Sequence, residues 1–295
     1  MTAKLISGTQ LVTEIRGELK ERVASLRKKD IVPGLGVILV GEDPASVSYV
    51  KSKARGAIEI EMFEETIRLP TETTETLLLD TINRLNNDPS FHGILVQLPL
   101  PKHINTDYVI SQILPSKDAD GLHPFNMGKL LRGEPGPLPC TPHGVQEMLV
   151  RSGNSPEGKH VVICGRSNLV GKPLAGILMQ KKKGANAIVT LCHTGAKDMS
   201  YFTRQADIVV AAVGIPNAVT TDMIREGAVV IDVGINRIAD ATRERGYRLV
   251  GDVDFDAVKE KASAITPVPG GVGLMTVTML LMNTIEAAER KAGIY

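Results

Sequence analysis

Four side chains in the first third of the chain have the types and spacing to handle one small molecule. Ser46, Tyr49 and Lys53 stand three and four residues apart, shortly after the apolar run Leu35 to Val40. On a helix this spacing sets all three polar groups along one face, beyond the carboxyl end of a strand, where open α/β sheets bind ligands. The same spacing also suits a solvated helix face. Gln97 is the fourth. It ends the apolar run Gly93-Ile94-Leu95-Val96, ahead of Pro99 and Pro101. An amide in such a run must find partners or cost about 1–3 kcal/mol, and at a strand end stiffened by prolines it points to a ligand more than to structure.

A different chemistry is written between Val161 and Pro173. An apolar run, Gly165, Arg166, Ser167, a second glycine at 171 and then Leu174, Ile177 and Leu178 read as strand, tight turn and helix. Glycine lets backbone N–H groups approach a pyrophosphate, and the helix N-terminus favours its charge. The spacing is not the usual Gly-x-Gly-x-x-Gly, and a plain strand-to-helix turn fits it equally. NAD-binding folds of this kind carry an acid at the end of the second strand. Here that strand ends Leu191-Cys192-His193-Thr194, with no carboxylate. Arg166, Ser167 and Thr194 suit a 2′-phosphate through a guanidinium fork and hydroxyl donors, so NADP is expected. The alternative is an Arg166 that only caps a neighbouring carbonyl. Two further apolar strands end in Gly214 and Gly234, the latter followed by Ile235, and a glycine there lets a flat ligand lie against the strand ends.

These groups need a scaffold of alternating elements. Leu11, Ile15, Leu19, Val23 and Leu26 recur at helical spacing. Residues 34–40 form a fully buried strand, and a helix from about 45 to 61 follows. Strands near 66–69 and 93–98 bracket a helix carrying Leu77, Leu78, Ile82 and Leu85. In the second half, strands are expected near 160–165, 187–192, 207–213 and 228–233, with an exposed hairpin or loop over 240–250. The rigid loop Thr266 to Gly273 opens a last helix, which is expected to return to the first domain. This rhythm predicts two α/β domains with mostly parallel sheets, the second Rossmann-like, and an active-site cleft between them. The expected division is 1–142 plus 274–295 against 143–273.

Composition narrows the function. A chain of 295 residues with net charge +1 and well-mixed charges gives no reason to expect nucleic acid or an anionic membrane surface as partner. No apolar leader and no run of about 20 apolar residues occurs, so an unexported, cytoplasmic protein is expected. Cys140, Cys164 and Cys192 lack Cys-x-x-Cys spacing, and the six histidines lack metal-ligand spacing, so no metal is expected.

Tyr49-Val50-Lys51-Ser52-Lys53, Val96 to Pro101, Lys117-Asp118-Ala119-Asp120-Gly121, Pro139-Cys140-Thr141-Pro142, Gly165-Arg166-Ser167 and Pro267 to Gly273 follow one another in this order. In these blocks the chain resembles the bifunctional methylenetetrahydrofolate dehydrogenase/methenyltetrahydrofolate cyclohydrolase family. The resemblance implies NADP-dependent oxidation of 5,10-methylenetetrahydrofolate to the methenyl form, hydrolysis of that to 10-formyltetrahydrofolate, and a homodimer. It implies Lys53 as catalytic lysine, Gln97 as its hydrogen-bond partner, Tyr49 against the substrate ring beside Ser46, and Asp120 as pterin anchor. It sets Pro267, Gly270 and Gly271 beside the folate and nicotinamide, and Arg166 and Ser167 near the cofactor phosphate. Read without the resemblance, Asp118 and Asp120 are equally a turn or helix cap. Leu274 in place of proline, Thr194 in place of serine and the atypical Glu59-Ile60-Glu61-Met62-Phe63 depart from the family pattern. A dehydrogenase lacking the hydrolytic step, another two-domain NADP enzyme, or a non-enzymatic NADP sensor are the alternatives.

Overall fold

The computed structural model describes residues 2–243 and 246–294. In chain order the elements begin with β1 (Lys4–Leu5), α1 (Gly8–Arg27), β2 (Gly34–Val40), α2 (Pro44–Glu59), β3 (Phe63–Leu69), α3 (Glu75–Asn87) and β4 (Gly93–Val96). Then come α4 (Thr106–Ser111), α5 (Pro124–Arg132), α6 (Cys140–Arg151), β5 (His160–Cys164), α7 (Gly171–Leu178), β6 (Ile188–Cys192), α8 (Met199–Thr203) and β7 (Ile208–Ala211). The chain closes with β8 (Val229–Asp232), β9 (Asn236–Ala239), β10 (Tyr247–Val250), α9 (Phe255–Val258), β11 (Ala264–Ile265) and α10 (Val272–Lys291).

Two compact units divide these elements: Thr13–Cys140 with Val277–Tyr295, and Met1–Val12 with Thr141–Thr276. In the first unit a parallel sheet runs β3-β2-β4. Every residue of β2 is buried, as a strand covered on both faces must be. Leu78, Ile82 and Leu85 of α3 pack at helical spacing into the cluster formed with Ile38, Phe91, Ile94 and Val96. Strand β3 begins at Phe63, earlier than the apolar signal suggests, because an edge strand tolerates Glu64 and Glu65. Strand β4 stops at Val96, before Gln97 and Leu98, although the Gln97 N–H still reaches Ile38 O at 2.8 Å.

The second unit holds a six-stranded, all-parallel sheet in the order β1-β11-β8-β7-β5-β6. Chain order reverses between β5 and β7, which is where a Rossmann-like sheet opens its ligand crevice. The compact units depart from the expected division at the amino terminus. Lys4–Leu5 pair with β11 and add an edge strand to this sheet, and a two-residue strand carries no periodicity that could announce it. Asn236–Ala239 and Tyr247–Val250 pair as the antiparallel strands β9 and β10; within the stretch expected as hairpin or loop, Glu244 and Arg245 lie outside the described residues. From Val277 on, α10 belongs to the unit of residues 13–140.

Candidate functional site

Helix α2 begins on Asp43, whose Oδ2 accepts the Ser46 N–H at 2.8 Å, with Pro44 in the first turn. Ser46, Val50, Lys53 and Ala57 form its buried stripe. Lys53 therefore occupies a position where the pattern demands an apolar residue, and it is 7% exposed. Tyr49, at the border of the stripe, is 37% exposed. Lys53 Nζ donates to Gln97 Oε1 at 2.8 Å, and Gln97 Nε2 donates to Leu98 O at 2.6 Å. The amide thus has a partner on each side.

Beyond β4 the chain returns along it. Asp118 bridges Ile94 in parallel register, and the Ala119 N–H reaches Ile94 O at 3.3 Å. This carries Asp120 to the carboxyl end of β4, beside Gln97. The two acids then divide the work. Asp118 is buried and accepts from the N–H groups of Gly121, Leu122 and His123 and from Asn126 Nδ2, so it holds the turn and the start of α5. Asp120 is half-buried and near enough to act electrostatically on Lys53 and Cys140.

Burial holds the Lys53 amine below the ordinary lysine value of 10.5, with Asp120 and then Cys140 pulling the other way. An ammonium withdrawn from water is costly, so burial makes this amine easier to deprotonate than a solvated lysine. Burial and the neighbouring Asp120 push Cys140 well above the usual thiol range, so it stays a thiol.

The other unit places Gly165 at the sheet's reversal point with φ +134°. A Cβ there would lie 2.2 Å from Ala212 O, and one at Gly171 would lie 2.1 Å from Gly165 O. Only glycine permits this turn to fold so tightly. Arg166, Ser167 and Thr194 are all exposed at these strand ends. Ser167 Oγ accepts the Val170 N–H at 3.1 Å and still has its own proton to donate. Gly214 has φ +75° and is open to solvent. Gly234 is buried, a Cβ there meeting Asp252 Oδ1 at 2.1 Å, while Ile235 beside it is exposed. A glycine cradle with guanidinium and hydroxyl donors fits a dinucleotide carrying a 2′-phosphate. In the loop of Pro267, Gly270 and Gly271, Gly270 has φ +102° and its carbonyl accepts the Gly8 N–H at 2.8 Å. The amino terminus thus braces that loop.

Two family models cover most of the chain: the tetrahydrofolate dehydrogenase/cyclohydrolase catalytic domain over residues 6–120 and its NAD(P)-binding domain over residues 139–292. The chain belongs to the tetrahydrofolate dehydrogenase/cyclohydrolase family. It is 53% identical over 294 residues to the bifunctional protein FolD of Syntrophus aciditrophicus, covering 100% of both chains. To the FolD of Dehalococcoides mccartyi it is 56% identical over 295 residues, covering 100% of this chain and 99% of the other. Among solved structures, the FolD methylenetetrahydrofolate dehydrogenase/cyclohydrolase of Campylobacter jejuni matches with TM-score 0.92 and 48% identity, over 98% of this chain and 99% of that one. The Trypanosoma brucei FolD, solved with NADP and an inhibitor, matches with TM-score 0.93 and 41% identity over 99% of each.

The family's departures in this chain are quiet. Leu274 is 41% exposed, and in the atypical stretch after α2 Ile60 and Met62 are buried. Sequence reasoning missed several side chains that hold the two sites. Asn283 of α10 donates to Ala119 O at 2.9 Å and Leu138 O at 2.8 Å, pinning both ends of the segment that bears Asp120. An asparagine inside the apolar stripe of the last helix was its only signal. Asp252, fully buried, accepts from the N–H groups of Val213 and Gly214 and from Asn236 Nδ2. Asp232 accepts from the N–H groups of Gly234, Asp252 and Val253. A carboxylate closing the apolar strand Val229-Val230-Ile231 was legible, but its partners were not. All three cysteines are buried, packed as small hydrophobes. No helix of the described residues is long and apolar enough to cross a membrane.

Proposed function

We propose that the chain oxidises 5,10-methylenetetrahydrofolate with NADP and hydrolyses the methenyl product to 10-formyltetrahydrofolate, with Lys53 carrying the proton step. The observation that supports this most is the buried hydrogen bond between Lys53 Nζ and Gln97 Oε1. A solvated helix face would leave that amine in water.

When bound, NADP supplies the hydride acceptor. The oxidation needs no acid or base from the protein, because the folate nitrogens stabilise the cation left behind; the chain must hold the rings and exclude water. Gly165 and Gly171 make room for a pyrophosphate, and Arg166, Ser167 and Thr194 meet the 2′-phosphate. Gly214, Gly234 and Ile235 border the ring end of the cofactor. NADP in the Trypanosoma brucei relative and the lack of a carboxylate in Leu191-Cys192-His193-Thr194, at the end of β6, favour this cofactor over NAD.

Hydrolysis does require a base. Water adds to the methenyl carbon and sheds a proton; the carbon–N5 bond then breaks as the hydroxyl proton passes to N5, leaving the formyl group on N10. The Lys53 amine donates one N–H to Gln97, which fixes its orientation and leaves its lone pair for the proton that water sheds. The cationic substrate adds a like charge and further disfavours the ammonium. Once the proton is taken, the Asp120 carboxylate stabilises the new ammonium, while its oxygens accept from the donor edge of the pterin. Tyr49 lies against the substrate ring, with Ser46 at the start of the same helix face and Pro267, Gly270 and Gly271 lining the folate and nicotinamide. The domain roles follow, with the folate on residues 1–142 plus 274–295 and NADP on 143–273. A cytoplasmic homodimer belongs to the same proposal and is tested by sedimentation.

The deciding experiment incubates the protein with methylenetetrahydrofolate and either NADP or NAD, following nicotinamide reduction and the methenyl absorbance together. Reduction with NADP followed by decay of the methenyl band is expected. A methenyl band that accumulates without enzyme-dependent decay would remove the second activity.

A further inference from the structure

Lys117 belongs to the Lys-Asp-Ala-Asp-Gly motif, yet the chemistry above makes no use of it. It lines a cavity of about 580 Å³ in the unit of residues 13–140, together with Lys129 of α5 and Arg290 and Lys291 of α10. The neighbouring residue on the wall is His92, just ahead of β4. Gln97 follows the last residue of that strand, so His92 on the cavity wall and Gln97 at the Lys53 site stand at opposite ends of β4, roughly 16 Å apart at 3.3 Å per residue. The two sites do not overlap.

The charge on this wall is only partly compensated. Arg290 reaches Glu286 at 3.6 Å, and Asp88 and Glu134 act electrostatically on Lys117 and Lys129, but the direct contacts of the three ammonium groups are to neutral groups. Lys117 Nζ donates to the carbonyls of Leu85 and Asp88 at 2.9 and 2.7 Å, Lys291 Nζ donates to Pro89 O at 3.0 Å, and Lys129 Nζ sits 5.2 Å over the Phe125 ring. The nearby acids are turned to other partners: Asp88 accepts the Ser90 N–H, and Glu134 pairs with Arg132. Among the described residues, no carboxylate lines the cavity. Lys117 and Lys291 are close enough for one to disturb the other. Lys117 is held below the ordinary lysine value by burial and then by Lys291, and His92 is pushed down to about 4 by burial and then by Lys291 and Lys117.

Cations gathered around one cavity repel one another, and an anion seated among them relieves that repulsion. The cavity also falls in the size range of small-molecule sites, and it offers Phe125 and three prolines as apolar surface. We propose that this cavity is a second binding site, for a phosphate-bearing anion held by Lys117, Lys129 and Lys291, separate from the folate and NADP sites. The phosphate is the shared chemistry; it arrives free or as an ester whose organic part rests on the apolar wall.

Titration calorimetry on the full-length protein saturated with NADP tests this, using inorganic pyrophosphate and, separately, adenosine diphosphate. Saturation closes the cofactor's own phosphate sites. At least one probe binds, and Lys129→Ala and Lys291→Ala each weaken it about tenfold, as loss of one charged hydrogen bond does. Tighter binding of the diphosphate ester assigns an ester, and tighter binding of pyrophosphate assigns the free anion. Both variants keep the dehydrogenase activity of the parent, since neither residue touches the Lys53 site, and that activity certifies their fold. Absence of binding by either probe, or binding that both variants retain at full strength, overturns the proposal.

Discussion

Lys53 Nζ and Gln97 Oε1 meet at 2.8 Å although 44 residues separate them in the chain. One side chain comes from the buried stripe of α2 and the other from the carboxyl end of β4, so the sheet itself sets their distance. This contact fixes the direction of the Lys53 amine.

The first prediction concerns that base. Lys53→Met abolishes hydrolysis of the methenyl compound, and wild-type turnover by the purified variant would refute the assignment. In the parent, burial lowers the amine below 10.5. The neutral form is the active one, so the hydrolysis rate rises with pH along a limb whose midpoint lies below that value. A rate independent of pH up to 10 contradicts a lysine base.

Asp120→Ala raises the folate dissociation constant about 10- to 100-fold, the worth of hydrogen bonds to a charged acceptor. The same change withdraws the charge that favours the Lys53 ammonium. The pH limb of hydrolysis therefore moves to lower pH. Unchanged folate affinity by calorimetry would dismiss Asp120 as anchor.

Gly165→Ala forces a Cβ to 2.2 Å from Ala212 O at a φ of +134°. NADP affinity is lost while folate binding persists. Asp252→Ala strips a common acceptor from Val213 N, Gly214 N and Asn236 Nδ2. It lowers stability by about 2–4 kcal/mol in urea titrations, within the range for a broken buried network. A loss below 0.5 kcal/mol would mean that the Val213–Gly214 turn holds itself.

Acid stability carries a further sign. His92 is neutral in the fold, its Nδ1 accepting the Gly34 N–H at 3.2 Å, and it is pushed from 6.5 down to about 4. Between those values the unfolded chain binds the proton first, so stability falls as pH drops from 6.5 to 4. His143, also pushed down to about 4 by burial, adds to this loss. Asp232, pushed up to about 6 by burial, opposes it, because there the folded chain binds the proton first. In urea titrations at pH 7 and 4.5, His92→Gln loses less stability on acidification than the parent. An equal loss would exclude His92 as a contributor.

Much of the fold follows from local pattern. The apolar runs of β2, β5, β7 and β8 mark buried parallel strands, and the 3.6-residue recurrence in α1, α3 and α10 marks their covering helices, because burial on a sheet imposes those periods. The polar row at 46, 49 and 53 and the amide at 97 stand out for the same reason: each breaks a period that burial enforces. Gly165 and Arg166-Ser167 are legible because a tight turn admits few residues.

Tertiary structure decided what no period encodes. It separated Asp118, spent on four donors of the turn and α5, from Asp120, whose charge acts on Lys53 and Cys140, although both stand in one five-residue motif. It joined β1 to the second unit's sheet and brought Gly8 against Gly270. It gathered lysines from 117, 129 and 291 around one cavity. Such contacts link residues far apart in the chain, and their energies depend on burial and on neighbouring charge, which exist only once the sheets have formed.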